Sequence, residues 1–191
     1  MASYTHEPTI GLLEFSSIAR GIRVCDQVLK QASIAVLIAR PVSPGKYVLL
    51  FTGPVDDVLS SLRVGAETGA DLLVDQLFLP AVDEQVLAAL ERPVQVPELD
   101  AVGVIETYTV ASTLLAADAA VKTGSVRLIE IKLARGIGGK SYLTLTGEVS
   151  DVEAAVLAGG RLAEGRLLET VVIPRPHQDL QDLLARHDED L

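Results

Sequence analysis

The sequence contains one unit twice, and this internal duplication limits the possible folds more than any other feature. Residues 11–14 (Gly-Leu-Leu-Glu) recur as residues 103–106 (Gly-Val-Ile-Glu), an offset of 92 residues (103 − 11). Later in the unit, Gly65 matches Gly159 at an offset of 94 (159 − 65), so the second copy has a loop that is longer by two residues. The repeat has the size of a domain. The sequence therefore predicts two copies of one fold in tandem.

The two copies join between residues 92 and 98 (Arg-Pro-Val-Gln-Val-Pro-Glu). Proline removes a backbone donor and fixes the backbone, so Pro93 and Pro97 disfavour both a helix and a central strand there. We therefore expect a first domain over residues 1–95 and a second domain over residues 96–191.

Within each copy the hydrophobic pattern predicts the order β-α-β-β-α-β, followed by a short helix. This is the order of a split βαβ, ferredoxin-like fold. The predicted fold class is therefore α+β, with two tandem domains that each have an antiparallel sheet and helices on one face. An apolar stripe at helical spacing marks the first helix of each copy. Its members are Ile18, Ile22, Cys25 and Leu29 in the first copy and Val110, Leu114, Ala117 and Val121 in the second.

Composition argues against several classes of function. The chain has 191 residues, a net charge of −10 and only 4% aromatic residues. A nucleic-acid-binding protein would instead show clustered Lys and Arg with stacking aromatics. The single cysteine, Cys25, excludes a disulfide scaffold and fits a reducing cytoplasm. We expect neither a signal peptide nor a membrane helix, because the aliphatic runs are far shorter than the ~20 residues that a bilayer requires.

Two loops at matching positions are rich in glycine or proline. Residues 41–46 (Pro-Val-Ser-Pro-Gly-Lys) and residues 134–140 (Ala-Arg-Gly-Ile-Gly-Gly-Lys) each separate two strand patterns. From the residues alone, an ordinary hairpin turn explains both loops. A phosphate-binding loop fits poorly, because its first glycine would fall on Ala134 and because a strand pattern, not a helix, follows Lys140.

No set of residues suggests catalysis, so we predict that the protein is not an enzyme. His6 and His187 lie near the chain ends, and His177 follows a proline where a helix is expected to begin. Asp56 and Asp57 fall in a predicted first helical turn, where carboxylates complement the helix dipole. The sequence shows no nucleophile with its base and no metal-ligand spacing, and we expect neither a cofactor nor a metal.

Several distinctive motifs follow one another along the two copies. The repeated Gly-(aliphatic)2-Glu opening comes first, and residues 117–122 (Ala-Asp-Ala-Ala-Val-Lys) end a helix of the second copy. Residues 172–177 read Val-Ile-Pro-Arg-Pro-His. Together these motifs resemble bacterial microcompartment shell proteins of the tandem BMC-domain class, with the elements in the unpermuted order.

The resemblance implies a structural protein that forms facets of a microcompartment shell in the cytoplasm. Three chains, with two domains each, would form a homotrimer that mimics a hexamer. Its central pore would pass small metabolites. The implied partners are other shell proteins, both hexameric BMC proteins and pentameric vertex proteins, with no nucleic acid and no membrane.

The resemblance also assigns roles to individual residues. The predicted pore lining consists of Val42, Ser43, Pro44, Gly45, Gly136, Ile137, Gly138 and Gly139. The predicted edge of the disc, where neighbouring discs would touch, contains Lys30, Lys122 and Arg175. The first copy has Ala81 where the second has this arginine, so alternate edges would differ.

Ser43 separates two possible functions. Within the class, the closest resemblance is to the propanediol-utilisation tandem shell proteins, whose corresponding loop reads Cys-Pro-Gly-Lys and holds an iron–sulfur cluster on the three-fold axis. Here the loop reads Ser-Pro-Gly-Lys, and a hydroxyl is a poor ligand for such a cluster. A metabolite pore is therefore favoured. A metabolite- or iron–sulfur-binding redox module on the same trimer is the alternative.

Overall fold

The computed structural model of the chain describes residues 8–91, 94, 96, 99–134 and 136–185. It contains two four-stranded antiparallel sheets, one in each copy of the sequence. His6, His187 and most of the join between the copies lie outside the described residues. The domain boundary between residues 95 and 96 therefore stays a prediction.

The first copy forms a sheet with the strand order β2-β3-β1-β4. Its elements are β1 (Thr9–Phe15), α1 (Ile18–Gln31), β2 (Ala35–Val42), β3 (Lys46–Gly53), α2 (Val55–Gly69), β4 (Leu73–Leu79) and α3 (Glu84–Glu91). A single 3-10 turn, Ala70–Leu72, separates α2 from β4. The predicted order of elements is confirmed, with strand ends that shift by one or two residues.

The second copy repeats this topology with the strand order β6-β7-β5-β8. Its elements are β5 (Ala101–Thr107), α4 (Val110–Thr123), β6 (Arg127–Leu133), β7 (Ser141–Gly147), α5 (Val149–Leu162), β8 (Leu167–Pro174) and α6 (Gln178–Ala185). The strand β7 begins directly after Lys140, which rules out the phosphate-binding loop, because that loop needs a helix there. No helix within the described ranges is long and apolar enough to cross a membrane.

Helices α1 and α2 cover one face of the first sheet. Gly65 allows α2 to pack closely, because a Cβ at this position would overlap the side chain of Leu13. The resulting core contains Leu13, Phe15, Leu49 and Phe51 from the sheet and Val24, Val28, Val58 and Leu62 from the helices. The second domain packs α4 and α5 on its own sheet in the same way. The predicted α+β class, with two ferredoxin-like domains, is confirmed.

The opposite face of the first sheet is covered by the second domain. Helix α4 contacts β1 and β4 of the first domain as well as its own sheet. Ile10, Leu12 and Leu50 of the first sheet share one apolar core with Leu114 and Ala117 of α4. We call this contact the domain junction. One hydrophobic core therefore extends from this face of the first sheet into the second domain, beside the separate core beneath α1 and α2.

The apolar stripe predicted for the first helices has a different role in each copy. In α4 the stripe lies in the domain junction, and Val110, Leu114 and Ala117 are fully buried. In α1 the stripe faces away from the domain, so Ile22 is 56% exposed and Leu29 is 50% exposed. The residues of α1 that face its own sheet form a second stripe, which contains Gly21, Val24 and Val28.

The helix α3 extends the junction beyond the sheet. It packs on the edge strand β6 of the second domain. The side chain of Gln85 accepts a hydrogen bond from the backbone N–H of Leu128 and donates one to the carbonyl oxygen of Val126. The first domain therefore contacts the second domain through both a sheet face and a helix.

The junction predicts a large difference between two leucines. Leu114→Ala should lower the free energy of unfolding by about 2–5 kcal/mol, because it leaves a cavity in the shared core. Leu59→Ala, on the outer face of α2 where Leu59 is 40% exposed, should cost less than about 1 kcal/mol. Chemical denaturation at one fixed protein concentration measures both values. Equal losses for the two variants would contradict the packing at the junction.

Candidate functional site: two loops and the domain junction

The first loop connects β2 and β3 and consists of residues 41–46. The backbone N–H of Gly45 donates a hydrogen bond to the carbonyl oxygen of Val42, which closes a tight turn. Gly45 has a φ of 103°, a conformation that favours glycine. Ser43, Pro44 and Gly45 are exposed, whereas the side chain of Val42 is buried in the core. The side chain of Val42 therefore cannot belong to the predicted pore lining, and only its backbone could.

The second loop, residues 134–140, connects β6 and β7 at the matching position. Gly136, Gly138 and Gly139 all have positive φ, between 66° and 82°. Gly136 and Gly138 are exposed, and a Cβ at either position would meet nothing within 4 Å. Ile137 is half-buried. The loop therefore exposes backbone polar groups with little side-chain bulk.

The two loops touch each other within one chain. A Cβ at Gly139 would lie 2.8 Å from Cδ of Pro44 and 2.9 Å from the carbonyl oxygen of Ser43. Only glycine permits this approach, since any side chain would collide with the first loop. The sequence predicted two corresponding loops, and the structure places them side by side at one end of the domain junction.

A buried ion pair anchors the first loop. Lys46 Nζ lies 2.8 Å from Oε1 of Glu14, a residue of the central strand β1 whose side chain is fully buried. The second oxygen of the same carboxylate accepts the backbone N–H of Val110, the first residue of α4, at 3.0 Å. That N–H has no acceptor within its own helix. Glu14 therefore joins the first loop to the domain junction.

A matching ion pair lies at the end of the second loop. Lys140 Nζ lies 3.1 Å from Oε1 of Glu106 on β5. The sequence identified both glutamates as part of a repeated motif but gave them no structural role. A clue was present, since a carboxylate inside a buried strand needs a positive partner and each loop ends in a lysine.

Lys30 and Lys122, which were predicted to lie at the disc edge, stand at the C-terminal ends of equivalent helices. Lys30 pairs with Asp26 at 2.6 Å, and Lys122 pairs with Asp118 at 2.7 Å. Lys122 also donates to the carbonyl oxygen of Ala81 in the first domain. Both lysines are exposed, as an edge role requires. Lys122, however, already forms a hydrogen bond between the two domains of its own chain.

Arg175 lies in a turn that both copies share. Its φ is 49°, and that of the corresponding residue Ala81 is 53°. The backbone N–H of Arg175 donates to the carbonyl oxygen of Asp100, which fixes the turn, while the side chain is exposed. The same backbone conformation therefore presents an arginine in one copy and a methyl group in the other.

The remaining candidate residues form no reactive site. His177 precedes α6, and its Nδ1 accepts the backbone N–H of Asp179, so it is a helix-start residue as predicted. Burial raises the pKa of the Cys25 thiol, and the charge of Asp26 raises it further. A thiol with a raised pKa is a poor nucleophile. Within the described ranges, no group of three or more His, Cys, Asp or Glu residues could hold a metal ion.

Comparison with known proteins places both copies in one family. The model of the BMC domain matches residues 9–82 and again residues 101–176. The bacterial microcompartment shell protein PduT of Citrobacter freundii is 40% identical over 90% of this chain and 94% of its own length. The shell protein EutM of Salmonella typhimurium is 37% identical over 44% of this chain and 88% of its own length, which corresponds to one copy.

Solved structures agree with this assignment. A microcompartment protein from Desulfitobacterium hafniense is 47% identical, with a TM-score of 0.83 over 92% of this chain and 98% of that chain. The fused permuted hexameric shell protein MSM0275 shares the fold at 20% identity, with a TM-score of 0.64 over 82% of this chain and 83% of its own. The chain therefore belongs to the BMC-domain family of bacterial microcompartment shell proteins, with two BMC domains in tandem.

Proposed function

We propose that the protein is a facet protein of the shell, and that three copies close into a ring of six BMC domains around a metabolite pore. One observation carries the proposal. Among the described residues, the chain forms one domain junction and leaves exposed two surfaces that correspond to it, the outer stripe of α1 and part of one face of the second sheet. A contact between two different surfaces repeats from chain to chain and closes into a ring when the rotation fits. The hexameric fused relative MSM0275 supports a ring of six domains.

The first exposed surface is the outer stripe of α1. Ile22 is 56% exposed, while the corresponding Leu114 of α4 is fully buried against the first sheet. Burying Ile22 and Leu29 in the same way would remove a large apolar area from water. The stripe on α1 is therefore the surface that a neighbouring domain would cover.

The second exposed surface is the part of the second sheet near β8. Elsewhere on this face, Val102 is buried in a cluster with Leu99 and Leu184. Val171 on β8 is 39% exposed, whereas its counterpart Leu77 on β4 is 7% exposed because α4 packs over it. In the ring, α1 of one chain would lie on this face of the next. Each chain would then have both sheets covered on both sides.

Ring closure would bring three copies of each loop to the axis. The first loop would contribute the hydroxyl of Ser43, which both donates and accepts hydrogen bonds. The second loop would contribute the backbone groups of Gly136 and Gly138, which have open space around them. Such a lining selects small polar solutes by size and by hydrogen bonding, so we infer that small metabolites pass.

The outer edge of the ring would contact other shell proteins. Lys30, Lys122 and Arg175 are exposed, and the resemblance to tandem shell proteins implies a lateral contact between discs at these residues. Hexameric shell proteins are the inferred lateral partners, and pentameric shell proteins would close the vertices. We also infer that the protein has a structural rather than an enzymatic role.

A charge in the α1 stripe should prevent the ring from forming. Ile22→Asp should convert the trimer into monomers, because closing the junction would bury an unpaired carboxylate. Leu157→Asp is the matched control: Leu157, on α5, is also 56% exposed but lies outside the junction surfaces, so this variant should remain trimeric. Light scattering gives the masses. A monomeric wild-type chain, or a purified trimer with stoichiometric iron absorbance, would overturn the proposal.

The single cysteine, Cys25, provides a second probe of the same contact. Cys25 corresponds to Ala117, which is fully buried in the junction within one chain. Its reaction with a maleimide should be several-fold slower in the wild-type trimer than in the Ile22→Asp monomer. The Leu157→Asp variant should react at the wild-type rate. Equal rates in the trimer and the monomer would place Cys25 outside the contact.

The edge arginine should be needed for sheets but not for the ring. Arg175→Ala should keep the mass of a trimer and lose assembly into extended sheets with hexameric shell proteins, as seen by electron microscopy. Arg63→Ala, which removes an exposed arginine from α2, should leave sheets unchanged. Normal incorporation of Arg175→Ala into shells would refute its role at the edge.

A further inference from the structure

The ion pairs at the ends of the two loops occupy matching positions but differ in burial. The side chains of Glu14 and Lys46 are 0% and 21% exposed. Those of Glu106 and Lys140 are 32% and 44% exposed. The two carboxylates sit on equivalent strands and pair with equivalent lysines, so the difference must come from what covers them.

Helix α4 covers the first pair. Its first N–H, that of Val110, donates to Oε2 of Glu14, and this contact closes the carboxylate off from water. Glu14 therefore satisfies two donors at once, one in the loop and one at the end of a helix. Hydrogen bonds to a buried carboxylate are among the stronger ones, since the acceptor is charged.

The second pair lacks the corresponding partner inside one chain. Among the described residues, Glu106 bonds only to Lys140, and its other oxygen receives no hydrogen bond. The helix that corresponds to α4 is α1, whose first residue Ile18 is 38% exposed. Within the same described ranges, no carboxylate accepts the N–H of Ile18. The second carboxylate oxygen of Glu106 and the N–H of Ile18 thus correspond to the bonded pair at the internal junction. They lie in different domains of the chain.

We propose that Glu106 of one protomer accepts the N–H of Ile18 of the next protomer while it holds Lys140, so that the second loop is fixed in place only when the ring closes. The inference rests on the proposed ring. In it, the first loop is anchored by folding of the chain, whereas the second loop is anchored by assembly. The pore reaches its final shape only in the trimer.

A second set of matching residues supports this contact independently. At the internal junction, the hydroxyl of Thr109, the N-cap residue of α4, donates to the carboxylate of Asp75 on β4. The corresponding residues at the exposed surfaces are Ser17, the N-cap residue of α1, and Glu169 on β8. Ser17 provides the required hydroxyl, and Glu169, which is exposed, provides the required carboxylate. The exposed surfaces thus carry the groups needed to form both hydrogen bonds of the internal junction between neighbouring protomers.

Amide hydrogen exchange in the second loop tests the inference. Glu106→Gln should raise the exchange rate of residues 136–140 about tenfold in the trimer, the factor that corresponds to about 1.4 kcal/mol. In the Ile22→Asp monomer the same change should have a much smaller effect, because the contact to the next protomer is already absent. The first loop, residues 41–46, is the internal reference and should keep its rate. Glu67→Gln, an exposed carboxylate on α2, is the matched control.

The outcomes distinguish failure of the Glu106 contact from failure of the proposed ring. An unchanged second loop in a Glu106→Gln trimer would refute the anchoring role and leave the ring standing. An equal effect in trimer and monomer would also refute it, because the pair would then act within one chain. If Glu106→Gln dissociates the ring, the experiment uses Lys140→Met instead. The Lys140→Met variant keeps the carboxylate of Glu106 as an acceptor for the N–H of Ile18. A monomeric wild type would refute the ring before the loops are measured.

Discussion

The structure depends on one helix that packs against two sheets at once. Helix α4 lies between its own sheet and the open face of the first sheet, and it is buried on nearly every side. Small residues permit this: a Cβ at Gly159 would lie 2.7 Å from the carbonyl oxygen of Ala116, and Ala117 packs in the core shared with the first sheet. The face of the first sheet that carries Ile10, Leu12 and Leu50 is apolar, so it must be covered, and α4 of the second domain covers it.

Much of the fold could be predicted from the sequence because the duplication reports each element twice. The strands, helices and loops of the two copies agree, and the structure confirms them. The role of the apolar stripe on α1 could not be predicted. Periodicity shows that Ile22 and Val24 belong to different stripes, but it does not show which stripe faces the protein's own sheet. That choice depends on tertiary packing, which only the three-dimensional structure contains.

The candidate site was predicted in part. The two loops were recognisable from their glycines and prolines, and the structure shows that Gly139 of one packs against Ser43 of the other. The ion pairs behind them were missed, since Glu14 and Lys46 are far apart in sequence and meet only through the pairing of β1 with β3. The roles of the loops as a pore lining, and of Lys30, Lys122 and Arg175 as edge contacts, remain predictions, because both depend on neighbouring chains.

The short join between α3 and β5 has a thermodynamic consequence. It keeps the second domain close to the first, so the internal junction forms at a high effective concentration and costs little association entropy. A ring built from single domains requires six bodies to meet, whereas this chain, in the proposed ring, requires three. Its assembly equilibrium would then depend on the third rather than the sixth power of free subunit concentration. Rings of this chain should therefore persist at dilutions where rings of single domains with equally strong contacts fall apart.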